Sequence, residues 1–243
     1  MERPGVDVVV PFAGRAQALA GVVARLAELE LGEEDTVPVV DNSGVPGAGL
    51  GHVRVERLAR PRSSYSARNR GAAGGGAPWL LFLDADVEAP ADLLDRYFAQ
   101  APAQRCAVLA GAVLDSPPGA QDGAAVRYAW LKASMSQETT LAHGRWAFAQ
   151  TANCAVRRTA FTEIGGFAGG IRSGGDADLC WRLLAAGWEL ERRPEAAVVH
   201  HNRTSVPRLL AQRARHGAGA AWLGTRWVGA LPPRRRAGLA WWT

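Results

Sequence analysis

The chain has 243 residues, 48% of them apolar and 21% charged, with a net charge of +5. That balance excludes global disorder and a membrane-spanning bundle, and the length suits one large α/β domain or a domain with an appendage. The basic excess is almost entirely arginine, Lys132 being the only lysine. Arginine suits phosphate-bearing partners, but a GC-rich genome also writes it by default, so no nucleic-acid partner is expected.

The run "VDVVVPF" (6–12) reads as a buried strand, and "RAQALAGVVARLAEL" (15–29) follows with Leu19, Val22, Val23 and Leu26 at helical spacing. "TVPVVDNSG" (36–44) is a second strand entering a turn, and "HVRVERL" (52–58) alternates like a third. "SYSARNRGAAGGG" (64–76) starts helical and ends in glycines, after which residues 79–83 form a fourth strand. The order predicts a mostly parallel sheet covered by helices, and in such sheets ligands sit beyond the carboxyl ends of the strands.

Asp41 closes the second strand and Asp84 the fourth, so carboxylates converge on one edge of the sheet. Asp84 and Asp86 stand two apart, a spacing that in extended chain points both to one side. Two hard oxygen donors there suit Mg²⁺ or Mn²⁺ shared with a phosphate; the competing reading is a strand end with solvated acids. Further on, "CAVLAGAVLD" (106–115) is another buried strand, 116–123 a loop and 125–137 a helix. A pair of basic, strand-like pieces precedes "AAVVHHNRTS".

Residues 1–205 read as the catalytic domain and 206–243 as a basic, Trp-rich helical extension. The latter carries Arg208, Arg213, Arg215, Arg226 and the run at 234–236, interleaved with Trp222, Trp227, Trp241 and Trp242. Arginine with tryptophan favours a membrane interface; the alternative is a helix packed on the catalytic domain. Cys106, Cys154 and Cys180 are far apart and without CxxC spacing, and the N-terminus lacks the apolar core of a secretion signal. No apolar run reaches bilayer length. A cytoplasmic protein is expected, touching at most the inner face of the membrane.

Taken in order, "VVVPF", "VVDNSG", "SARNRGAA", "LLFLDADV", "NCAVRRTAFTEIGGF", "GGDADLCWRLLAAGW" and "VVHHNRTS" resemble the family 2 inverting glycosyltransferases of GT-A fold. The resemblance covers roughly residues 6 to 220. The stretch "HHNRTSVPRLLAQRARHGAGAAWL" further resembles bacterial polysaccharide-type members and those found beside the peptide cofactor mycofactocin. It implies an α/β sheet that binds a nucleoside-diphosphate-sugar, acceptor-side elements, and transfer of the sugar to an acceptor hydroxyl. The acceptor would be lipid-linked or a cofactor or natural product.

The resemblance also implies roles for residues. Pro11, Asp41, Arg68 and Asp84 match positions that receive the nucleotide-sugar; Asp41 would take the uracil or ribose end, with turn capping as its other reading. Asp86 matches the acid that binds Mn²⁺ or Mg²⁺, and His200 a third metal ligand. Asp176 matches the base that deprotonates the acceptor. Asp178, in the first turn of the same helix, is a capping acid or the base in a shifted register. His201, Arg203 and Asn153 are further candidates. The family's Glu before the base is replaced by Gly175, which removes a contact beside Asp176. Trp181 and Trp188 read as core. The rivals are a nucleotidyltransferase, which would want a Gly-rich basic loop where this chain has "PFAGRAQ", and a degenerate, non-catalytic binding subunit.

Overall fold

The computed structural model describes residues 3–231 except 134 and 203. Its strands are β1 (Val6–Phe12), β2 (Val37–Asp41), β3 (Val53–Arg57), β4 (Trp79–Leu83), β5 (Val87–Glu88), β6 (Cys106–Asp115), β7 (Asn153–Arg157) and β8 (Glu189–His200). Its α-helices are α1 (Ala16–Leu26), α2 (Ser64–Ala73), α3 (Leu93–Phe98), α4 (Ala124–Lys132), α5 (Gln137–Leu141), α6 (Arg158–Glu163), α7 (Gly175–Ala185) and α8 (Val206–Arg226).

The eight strands form one sheet in the order β3-β2-β1-β4-β7-β6-β8-β5. β3, β2, β1 and β4 pair in parallel, β7 runs antiparallel between β4 and β6, and β8 returns parallel to β6. Side chains alternate across the strands, so β1 sends Val8 and Val10 to one face and Val9 to the other. β4 likewise sends Leu81 and Leu83 to the α1 and α3 side and Leu80 and Phe82 to the α2, α6 and α7 side. Both faces are covered, which is why these strands read as unbroken apolar runs.

Two elements differ from the sequence reading. The helix expected over 125–137 stops at Lys132, where Ala133 turns left-handed at φ 43, and α5 begins anew with Ser136 as its cap. The two basic strand-like pieces are the single strand β8, which pairs with β6 through a register shift between Gly111 and Val113. The short β5 pairs antiparallel with the end of β8, setting Val87 against His200.

The boundary expected at 205 coincides with the start of α8, but α8 packs on the domain before it. Leu223 is buried with Ala177 and Trp181 of α7, and Trp222 and Trp227 pack against the same cluster. Gly219 permits the approach: a Cβ there would lie 2.7 Å from Ser173. Leu223, Trp222 and Trp227 thus pack on α7, while Val206, Leu210 and Val228 are exposed. Trp241, Trp242 and the arginines at 234–236 lie outside the described residues. No described helix is long and apolar enough to cross a membrane.

Asn153 is a structural node where a site residue was expected. It is fully buried at the start of β7; its amide nitrogen donates to the carbonyls of Ala112 (2.9 Å) and Ala196 (2.8 Å), and its oxygen accepts from the Tyr97 hydroxyl (2.7 Å). It stitches β7, β6, β8 and α3 together below the site. Asn153→Ala strands these buried partners and should lower stability by about 2–4 kcal/mol. Equilibrium urea unfolding would show this as a lower midpoint with an unchanged slope.

Candidate active site

Asp84 follows the last residue of β4 and sits where the parallel strands end. Arg68, on α2, reaches it from the side: the guanidinium is 3% exposed and pairs with the Asp84 carboxylate. The same guanidinium lies 5.6 Å from the centre of the Tyr65 ring and 6.0 Å from that of Phe167. Its Nε is buried with no hydrogen-bond partner among the described residues. Burial pushes Asp84 up to about 6; Arg68 pulls it down and neighbouring Asp86 adds to the rise.

On the other side of Asp84 the β5–β8 pairing brings Asp86 to His200. Asp86 Oδ2 and His200 Nε2 are 3.8 Å apart. His200 Nδ1 is 2.9 Å from Asp115 Oδ1, and Asn202 donates to the same oxygen at 3.0 Å. Asp115 and His200 are register partners at the carboxyl ends of β6 and β8. A buried carboxylate on Nδ1 favours the tautomer whose Nε2 lone pair faces Asp86. A carboxylate oxygen and a neutral imidazole nitrogen fit Mn²⁺ or Mg²⁺, and 3.8 Å lets both reach one ion with bonds of about 2.1 Å. Among the described residues no cluster of three or more His, Cys, Asp and Glu side chains encloses a metal, so these two donors fit an ion completed by water and a phosphate-bearing ligand.

Asp176 occupies the first turn of α7, where the helix dipole favours an acid. Burial nevertheless raises its pKa above the ordinary carboxylate value, with Arg68 and the Ala177 N–H opposing. The Tyr65 hydroxyl donates to its Oδ1 at 3.4 Å. A groove of about 580 Å³ opens nearby between the segment ahead of α7 and α8, lined by Arg172, Ser173, Ala211, Arg215 and Trp222.

Asp178 points the opposite way. It is fully buried; Oδ2 accepts from Arg182 (2.9 Å), and Oδ1 accepts from Arg226 (2.7 Å) and from the Trp227 indole (3.0 Å). That set fastens the end of α8 to α7, so Asp178 does not share the cleft with Asp176.

The other expected residues scatter. Asp41 is buried, and both its oxygens are taken by its own turn: Ser43 donates from N–H (2.8 Å) and hydroxyl, and Gly44 (2.8 Å) and Val45 (3.1 Å) donate from N–H. The capping reading describes it here. Pro11 lies near the end of β1 opposite Val40, on the cleft edge of the sheet. His201 faces away and pairs with Glu88 at 3.0 Å. Arg203 lies outside the described residues. Trp181 is core, donating to the Trp146 carbonyl, and Trp188 is half-buried against Glu163. Sequence reasoning missed Asp115 and Tyr65. Asp115 had a signal, since it ends an apolar strand as Asp84 does; Tyr65 had none.

Residues 79–243 match the sequence profile described as Glycosyl transferase family group 2. The chain belongs to this family. It is also 30% identical over 229 residues to the "Pre-mycofactocin glycosyltransferase" of two Mycobacterium tuberculosis strains, covering 91% of this chain and 48% of the relative. The chain therefore spans about half the length of those curated relatives. Among solved structures, the mannosyltransferase PcManGT from Pyrobaculum calidifontis, in complex with GDP-Man and Mn²⁺, superposes with a TM-score of 0.65 at 17% identity, covering 96% of this chain and 67% of that one. GalNAc-T7 with UDP, GalNAc and Mn²⁺ gives a TM-score of 0.60 at 16% identity, covering 83% and 44%. The fold is that of GT-A glycosyltransferases. Family membership also decides against the nucleotidyltransferase alternative.

Within this family member, Asp178 and Asp176 are separable by experiment. Asp178→Ala leaves Arg182 and Arg226 without their shared carboxylate and should cost about 3 kcal/mol or more. Hydrogen exchange should quicken along the C-terminal half of α8 first, since that is where the lost anchors lie.

Proposed function

We propose that this domain is an inverting glycosyltransferase that uses a divalent cation to move a sugar from a nucleoside diphosphate to an acceptor hydroxyl. The observation that carries the reading is the placement of two chemically distinct acid sets around one cleft. Asp86 and His200, 3.8 Å apart, stand on the strand-end side, and the raised-pKa Asp176 stands on the α7 side, with Arg68 and Asp84 between.

Asp86 and His200 would hold Mn²⁺ or Mg²⁺ on the donor diphosphate. The ion, when bound, neutralises negative charge on the departing nucleotide. Asp84 orients the donor from the floor of the cleft, held in place by Arg68. Asp176 accepts the proton of the acceptor hydroxyl as its oxygen forms a bond to the anomeric carbon; the bond to the diphosphate oxygen breaks and its electron pair leaves with the nucleotide. One base and one displacement leave no covalent sugar intermediate, so configuration inverts.

The likeness to pre-mycofactocin glycosyltransferases supports pre-mycofactocin as the acceptor, entering through the groove between the segment ahead of α7 and α8. A degenerate binding subunit is the poorer reading, because Asp84, Asp86, Asp176 and His200 are all present and clustered acids are costly to keep without use.

Four measurements test this. A panel of UDP- and GDP-sugars with Mn²⁺ should release nucleoside diphosphate, and chelation or Asp86→Ala should abolish the release. Activity surviving both would overturn the metal assignment. Asp176→Asn should lower turnover by about a hundredfold or more with the donor Kd nearly unchanged. Turnover of the unaltered chain should fall on acidification, with its midpoint above the ordinary carboxylate pKa because burial raises Asp176. A product of retained configuration would refute the single displacement.

A further inference from the structure

Gly175 directly precedes Asp176 at the start of α7, and the structure shows what lies against it. A Cβ built on Gly175 would lie 2.7–2.8 Å from three carbons of the Tyr65 ring, closer than real Cβ contacts come. The ring lies over the glycine, and its hydroxyl is 3.4 Å from Asp176 Oδ1. We propose that Tyr65 is a positioning residue for the base, holding one oxygen of the Asp176 carboxylate from the space that a side chain at position 175 would otherwise take. This rests on the reading of Asp176 as the base.

The ring is held from several sides. Tyr65 is 6% exposed, stacks against Phe167 with centroids 5.3 Å apart, and has the Arg68 guanidinium 5.6 Å from its centre. Its own helix is tethered to the segment ahead of α7. Ser63 caps α2 by accepting from the Tyr65 N–H, and the Ser63 hydroxyl donates to the Ile171 carbonyl at 2.7 Å. Burial and Asp176 itself raise the Tyr65 pKa, so the phenol stays protonated and acts as a donor. Holding Oδ1 leaves Oδ2 to take the acceptor's proton, fixing which face of the carboxylate points into the cleft. Glycine at 175 leaves the space that the hydroxyl end of the ring occupies.

Other groups act on Asp176 as well: Arg68 and His216 favour its ionised form, while Asp84, Cys154 and Cys180 lie within electrostatic reach. Tyr65→Phe leaves these groups in place and removes the hydroxyl, which besides donating to Asp176 Oδ1 also accepts from the backbone N–H groups of Gly175 and Asp176. A donor to a carboxylate favours its charged form, so its loss raises the pKa. Carboxyl ¹³C NMR on the full, metal-free chain, with Asp176→Asn for assignment, should show the Asp176 midpoint rise in Tyr65→Phe by about half to one pH unit. The acid limb of turnover should shift by the same amount, with donor KM unchanged.

A second pair of variants tests the shared space. Gly175→Glu alone should melt well below the native chain, and Tyr65→Ala with Gly175→Glu should recover part of that loss, a favourable coupling between the two sites. An Asp176 midpoint unmoved in Tyr65→Phe, or Gly175→Glu as stable as the native chain, would overturn the proposal. Turnover that persists in Asp176→Asn would instead remove the base assignment, which the NMR midpoint and the stability cycle do not depend on.

Discussion

The Arg68 guanidinium is the charge around which the cleft is built. Burial raises Asp84 and Asp176 above the ordinary carboxylate pKa, exposed Asp86 adds to the rise at Asp84, and Arg68 is the cation that opposes both rises. Burying an arginine is itself costly unless it is paired. Its pairing with Asp84 and its seat against Tyr65 and Phe167 therefore fix where α2 must lie relative to β4 and α7. The tether from Ser63 to Ile171 and two bonds between Asn69 and Phe167, whose carbonyl accepts from the Asn69 amide nitrogen and whose N–H donates to the Asn69 side-chain oxygen, lock that placement.

Around this charge the fold separates two environments. The strand ends supply polar groups that are partly open to water: Asp86 is exposed, and His200 is steered by Asp115 and faces it. The α7 side supplies a carboxylate under aromatic cover, where the ionised form is disfavoured and a proton is more readily taken. Environment makes the difference between the sets, since both are built from ordinary aspartates.

The C-terminal helix shows the same economy of charge on the structural side. Asp178 is two residues from Asp176, yet it turns inward and collects Arg182, Arg226 and Trp227. Two residues along a helix point to different faces, so adjacent acids in one motif can serve the cleft and the core. The groove between α8 and the segment ahead of α7 exists because α8 is fastened at its far end and at Gly219. α8 thus forms one wall of that groove.

The bounds of β1 and β4 were readable in the chain itself, because strands covered on both faces appear as unbroken apolar runs ending in turn or acidic residues. That Asp84, Asp86 and His200 lie at or beside strand ends and Asp176 in the first turn of a helix was legible for a similar reason, since each lies inside a short local motif. The bonding partners of Asp41 and Asn153 were not. Whether an aspartate caps its own turn or faces a ligand depends on the backbone conformation of that turn, and Asn153 meets its partners from three other elements. Asp115 beside His200 lies 85 residues away along the chain, and Tyr65 beside Asp176 lies 111 away. Local chain chemistry determined which residues could serve the cleft. Only the packing of β8 on β6 and of α7 on α2 decided which of them meet, because contacts between distant segments depend on register and burial that no short stretch encodes.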